Sequence, residues 1–130
     1  MVGASHPGEA SKLFEERFAA GDLDGLMDLS EDGAVFTNAQ GAHEGPDAIR
    51  EVLAVYLATG ASIAMNESVA FEAGERALVH WAWTMSFPDE RVAEGATAEV
   101  LRRQPDGSWK FPIDNPDGPA LISHARLTDS

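Results

Sequence analysis

Three side chains combine types and spacing that can do chemistry: His80, Glu99 and Asp114. They sit on successive segments separated by the turn-forming stretches Pro88-Asp89-Glu90 and Pro105-Asp106-Gly107-Ser108. If Asp89-Glu90 caps a symmetric hairpin, His80 faces Glu99. If Pro105 to Ser108 form a loop, Glu99 faces Asp114. One cross-strand row then holds all three, with Thr84 and Thr97 on the same face. Directly opposed residues lie ~4.5–5.5 Å apart at Cβ. Two carboxylates that close do not both ionise at ordinary cost, so one pKa rises. A histidine beside them can exchange the proton, which would supply general acid and base near neutral pH. A bulge would displace this row, and a slip of one residue would reverse its face.

The opposite face of the same strands carries Val79, Trp81, Trp83 and Met85, then Ala96, Ala98 and Val100, then Trp109, Phe111 and Ile113. Patterning leaves two arrangements open. Hydrophobicity alone turns the aromatic face inward and leaves the ionisable row in water. The reverse arrangement encloses the ionisable row and exposes the tryptophans.

The elements that must position these groups are legible from period and punctuation. Pro7 opens a helix with Ala10, Leu13, Phe14 and Phe18 at helical spacing, and Gly21 stops it. Asp22 caps a short second helix, and Ala34 to Asn38 reads as a brief strand. Gly45-Pro46-Asp47 opens a third helix with Ile49, Val52, Leu53, Tyr56 and Leu57 on one face, closed by Gly60. Beyond Gly60 the period becomes two. Ser62 to Glu72, Arg76 to Phe87, Arg91 to Gln104 and Trp109 to Asp114 are strands, and their short links imply an antiparallel meander. Helices first and strands after is the α+β pattern.

Composition removes whole function classes. The chain has 130 residues, a formal charge of -13 and no cysteine. That length suits one domain, and the missing thiols exclude disulfides, thiolate zinc sites and cysteine nucleophiles. Nine Lys+Arg against 22 Asp+Glu oppose binding to nucleic acid or anionic lipid. No apolar run approaches the ~18 residues of a membrane span, and no leader is visible at the N-terminus. A cytoplasmic protein is the expectation. No glycine-rich phosphate cradle or nucleophile elbow is present, and a linear row such as His80, Glu99 and Asp114 seldom converges like a metal cage. No metal or cofactor is expected. His43 reads as a loop histidine near a pocket mouth, His6 and His124 fall in tails, and Arg102 and Arg103 suit surface ion pairs. Phe14, Phe18, Phe36, Tyr56 and Met65 either line a cavity or pack a core.

Short motifs add a resemblance. Ala19-Ala20-Gly21-Asp22, Gly33-Ala34-Val35-Phe36, Gly45-Pro46-Asp47-Ala48-Ile49-Arg50, Ala77-Leu78-Val79-His80 and Glu99-Val100-Leu101-Arg102-Arg103 resemble the nuclear-transport-factor-2-like superfamily, which includes ketosteroid isomerases and SnoaL-like cyclases. The ending Gly107 to Pro116 resembles SgcJ/EcaC-type members, several of them in natural-product biosynthesis. The resemblance covers residues 9–118, leaving 1–8 and 119–130 as peripheral tails. It implies a curved antiparallel sheet wrapped around three helices, with a small-molecule pocket on the concave face and a second subunit on the convex one.

On that basis the ionisable row turns inward, and Trp81, Trp83, Phe111 and Ile113 become a homodimer surface. Glu99 matches the isomerase acid that donates to the substrate oxyanion, and Asp114 resembles the SnoaL-type acid/base aspartate, with His80 as its relay. Asn38, Thr84 and Thr97 would orient a ligand among Phe14, Phe18, Phe36 and Tyr56. Asn38 stands where the isomerase has its basic carboxylate, and Phe14 where it has a tyrosine, which argues against steroid isomerisation. The implied activity is cofactor-free acid/base chemistry on an apolar, carbonyl-bearing metabolite of polyketide type. The competing reading is a binding or structural dimer module of the same fold.

Overall fold

The structure is a computed structural model that describes residues 2–122. His124, expected in a tail, lies outside the described residues. Helix α1 (Glu9–Ala19) is followed by Gly21 at φ +66°, a left-handed turn that glycine enters freely. The Asp22 carboxylate accepts the Gly25 N–H at 2.9 Å and caps α2 (Leu23–Met27). Strands β1 (Ser30–Asn38) and β2 (Gly41–Glu44) form a hairpin, so His43 belongs to a strand and not to a loop. Pro46 occupies the first turn of α3 (Pro46–Ala58), where its missing N–H costs nothing. Then come β3 (Ser62–Ala73), β4 (Arg76–Ser86), β5 (Val92–Ala96), β6 (Glu99–Arg103) and β7 (Trp109–Asp114).

The seven strands form one sheet in the order β2-β1-β7-β6-β4-β3, with β5 also on β4. The α+β class and the meander hold, but the sheet is mixed and not wholly antiparallel. β1 and β7 run parallel, pairing Phe36 with Asp114. Helix α3 carries the chain from the β1–β2 edge to the far edge, and the meander returns until its last strand meets the free edge of β1. No local turn signal announces that pairing.

Two local features set which side chains face the helices. At the β4–β5 turn, the Phe87 N–H donates to the Arg91 carbonyl at 2.9 Å, enclosing Pro88, Asp89 and Glu90. Glu90 takes φ +72°, the left-handed residue of a three-residue hairpin. Such a loop shifts pairing by one residue relative to a two-residue cap. Glu99 therefore faces Val79 and not His80, Thr97 exchanges a hydrogen bond with Trp81 at 3.0 Å, and Gly95 faces Trp83.

The second feature is a bulge on β7. The β6–β7 turn encloses three residues, Pro105 to Gly107, and not the expected four, because the Gln104 N–H donates to the Ser108 carbonyl at 2.7 Å. Arg102 therefore faces Lys110, and only the bulge brings Val100 opposite Ile113. Phe111 and Pro112 thus stand opposite Leu101 alone, and the bulge puts Phe111 and Asp114 on the same side. The expected single strand from Arg91 to Gln104 breaks at Thr97–Ala98, where the Ala98 N–H donates to the Asn115 carbonyl at 2.9 Å.

These features overturn the expected dimer surface. Trp81 and Phe111 are buried and Trp83 is half-buried against the core; of the four residues only Ile113 faces out. His80 and Thr84 lie on the outer face, paired with Val69 and Ala64 of the edge strand. One core cluster joins Ala10 and Leu29 to Val79, Trp81, Leu101, Trp109 and Phe111. The other gathers Phe18, Leu26, Ala34, Phe36, Ile49 and Leu53. The N-terminal segment is not peripheral: Ala4 is fully buried and its carbonyl accepts the Trp109 N–H at 2.9 Å.

Candidate functional site

Between α1, α3 and the inner sheet face lies a cavity of about 120 Å³. Strands β3 and β4 supply Ile63, Trp81, Trp83 and Met85, the helices supply Phe14 and Tyr56, and Phe36 and Asp114 come from the paired strands β1 and β7. An apolar cavity of ~150 Å³ accepts benzene, so this volume suits one six-membered ring. Trp83 lies flat across β5 because Gly95 has no side chain; a Cβ there would sit 2.5 Å from Cζ2 of the indole. The Trp83 Nε1–H donates to the Pro116 carbonyl at 2.7 Å. That bond ties down a turn in which Asn115 Oδ1 accepts the N–H groups of Asp117 and Gly118. Pro116 and Asp117 thereby close the cavity on the side of β7.

Glu99 and Asp114, on adjacent strands, are 1% and 6% exposed. Neither Glu99 oxygen has a well-formed hydrogen bond, and neither does the Trp81 Nε1–H beside it. Burial drives the Glu99 carboxyl well above its ordinary value, and the neighbouring Asp114 charge adds to the rise. Asp114 is also raised by burial, while a proton on Glu99 favours its ionised form. Two buried carboxyls side by side do not both ionise at ordinary cost, and the larger rise falls on Glu99.

A second, wider compartment of about 490 Å³ opens outside the first, bordered by Asn38, His43, Glu51, Val52, Tyr56 and Asp117. Tyr56 and Asp117 border both compartments and so form the neck between them. Burial raises the pKa of each. Among the described residues no Lys or Arg lines either compartment, and no group of three or more His, Cys, Asp and Glu could hold a metal ion.

The structure thus brings together part of the residue set expected from the sequence. Glu99 and Asp114 meet, and Phe14, Phe36 and Tyr56 line the inner cavity. Phe18 belongs to the adjoining core. Thr97 is buried, but its Oγ1 accepts the Trp81 backbone N–H at 3.0 Å. His80 and Thr84 are excluded: His80 Nδ1 lies 2.7 Å from the Thr97 carbonyl, and Thr84 Oγ1 accepts from Asn66. Trp81, Trp83, Met85 and Asp117 were missed as site residues. The aromatic alternation of β4 was the available signal, and Asp117 sits in the turn sequence Asn115-Pro116-Asp117-Gly118.

Residues 10–119 match the family described as SnoaL-like domain. No curated protein sequence matches the chain. A protein of unknown function with a cystatin-like fold from Nostoc punctiforme superposes with a TM-score of 0.75 at 14% identity, covering 85% of this chain and 86% of that one. An NTF2-like family protein from Streptomyces avermitilis, provisionally named a dehydratase, gives 0.71 at 18% identity, covering 85% and 91%. An NTF2-like superfamily protein from Salmonella enterica gives 0.69 at 15% identity, covering 85% and 87%. Such identities speak for the fold, and one fold hosts many activities. No helix among the described residues is long and apolar enough to cross a membrane.

Proposed function

The chain belongs to the SnoaL-like domain family, and on that premise we propose that it carries out cofactor-free acid/base chemistry on a small, uncharged, ring-bearing carbonyl compound, such as a polyketide-like metabolite. The observation that carries this reading is the buried Glu99–Asp114 pair, of which Asp114 lines the apolar cavity and Glu99 lies beside it on the adjacent strand. Asp114 is the proton acceptor. Glu99, its carboxyl pushed up by burial, holds its proton beside Asp114 and favours the ionised form of that acceptor. Asp114 takes a proton next to a carbonyl and then either returns it elsewhere on the molecule or gives it to a hydroxyl that leaves as water. Isomerisation, cyclisation and dehydration all fit this scheme. With Glu51 and Asp117 at the entrance and no Lys or Arg lining it among the described residues, the site favours uncharged ligands over carboxylates.

Thermal shift is the direct test. Acetophenone and larger aryl ketones should raise Tm, because a ligand at a hundredfold excess over Kd adds about 2.7 kcal/mol. Benzoate, of similar size, should not. Stabilisation by benzoate and none by the ketones would overturn the reading; binding without turnover of any ketone would leave a ligand-binding module.

We also propose a homodimer through a revised surface. Phe71, Leu78, Val100 and Ile113 stand directly opposite one another across β3, β4, β6 and β7, on the face away from the cavity. Phe71 is 59% and Ile113 44% exposed, and an apolar row of this kind marks an association surface. Sedimentation should give a dimer for the native chain at micromolar concentration and a monomer for Phe71→Glu/Leu78→Glu. A native monomer would refute it.

A further inference from the structure

The hydrogen bonds at the neck determine the direction of one proton. The Gln40 backbone N–H donates to Asn38 Oδ1 at 2.9 Å, and a backbone N–H only donates, so the oxygen of the Asn38 amide is identified without ambiguity. His43 Nε2 lies 3.2 Å from that same oxygen and so carries the hydrogen between them. The amide nitrogen is left facing Tyr56, donating to its hydroxyl oxygen at 3.1 Å. Asn38 therefore uses its donor on Tyr56, and Tyr56 spends only an acceptor lone pair on Asn38. The phenolic hydrogen has no partner among the described residues, and Tyr56 borders both the inner cavity and the outer compartment.

We propose that Tyr56 is the hydrogen-bond donor that receives the carbonyl or hydroxyl oxygen of the ligand at the neck, and that Asn38 and His43 are positioning residues that aim it. This deepens the function proposed above and rests on its pocket. The substrate class becomes narrower: an uncharged molecule with an apolar ring of about benzene size in the inner cavity and an acceptor oxygen adjacent to that ring. Burial and the nearby charges of Asp117 and Asp114 raise the Tyr56 pKa and keep the phenol protonated, as a donor requires. Asn38, which occupies a strand end where a turn role would be ordinary, here sets the polarity of the neck. His43 does the same one step further out, on the neighbouring strand.

The carbonyl stretch of bound acetophenone, labelled with 13C at the carbonyl, reads the donor directly. A carbonyl that accepts a hydrogen bond absorbs at lower frequency. The native chain should show a lowered band, and Tyr56→Phe should return it toward the unbonded position with affinity reduced about three- to tenfold. Asn38→Asp is the decisive variant. A carboxylate only accepts, so the Tyr56 hydroxyl turns toward it, and the band should move to the Tyr56→Phe position although Tyr56 is intact. Asn38→Gln, which keeps both amide functions, should retain more of the lowered band than Asn38→Asp does. A structural role for Asn38 would make no such distinction. Identical bands in the native chain and in Tyr56→Phe, with acetophenone bound to both, would overturn this proposal and leave the pocket intact. Failure of the native chain to bind acetophenone at millimolar concentration would overturn both.

Discussion

Asp114→Asn is expected to lower turnover of any carbonyl substrate by roughly 10²–10⁴, the usual contribution of a positioned acid or base. The substitution keeps the shape of the side chain and its capacity to hydrogen bond, but removes the site that takes the proton. Ligand affinity should change far less, because the cavity wall stays apolar and its volume is unaltered. Asp114 is held on β7 beside Phe36 of β1 and has Glu99 as its carboxyl neighbour, so the variant disturbs one interaction and no packing. Parallel measurement of kcat and acetophenone affinity separates the two effects. A fully active variant would remove Asp114 from the chemistry. If Glu99→Gln then proved inactive, the two carboxyls would have exchanged roles.

Glu99→Gln should flatten the dependence of stability on pH. Burial lifts the folded-state pKa of Glu99 well above its ordinary value near 4.5. Between the unfolded and folded pKa values the folded chain holds more protons than the unfolded one, so unfolding becomes easier as pH rises. The contribution of Glu99 is intact below its unfolded pKa and drains away as pH climbs toward the folded value. The slope is up to about 1.4 kcal/mol per pH unit for one fully retained proton. Asp114 is shifted in the same direction. The carboxylates with lowered values, half-buried Glu31 and exposed Asp89 and Asp106, act oppositely, losing stability only as pH falls through the acid range. Urea unfolding between pH 5 and 8 should therefore show the variant gaining on the native chain toward the alkaline end. A buried amide carries its own cost, but that cost does not vary with pH, so the slope is the readout. Parallel curves would mean that Glu99 ionises freely in the fold.

The same pair shows how much could be read before folding. A four-residue loop Pro105-Asp106-Gly107-Ser108 implies that Val100 faces Ile113 and Glu99 lies beside Asp114. The turn encloses only three residues, Pro105 to Gly107, and the β7 bulge restores that pairing. Helix boundaries were directly legible, because Gly21, Asp22, Pro46 and Gly60 act through their own backbone and side-chain chemistry within a turn or two of the chain. The α+β order is a property of this local kind.

Which face enclosed the pair was not local. A strand alternates with period two, so a single residue added to a turn or a strand reverses every side chain beyond it. Glu90 in its left-handed conformation adds that residue at the β4–β5 turn, and the bulge at Phe111–Pro112 adds another on β7. Together they send His80 and Thr84 outward and bring Trp81, Trp83 and Phe111 in with the two carboxyls. The resemblance to known families reversed the aromatic face, whereas hydrophobicity alone had it inward.

Local chemistry therefore determined the elements and the class, and the acid pair met only because the β7 bulge offset the shorter turn. Tertiary packing alone decided the rest: the parallel closure of β7 on β1, the turn that seats Asp117, and the Asn38 amide set between His43 and Tyr56. Each of these joins residues far apart in sequence or depends on a one-residue irregularity, and only burial of the aromatic face selects among the alternatives that the sequence leaves equal.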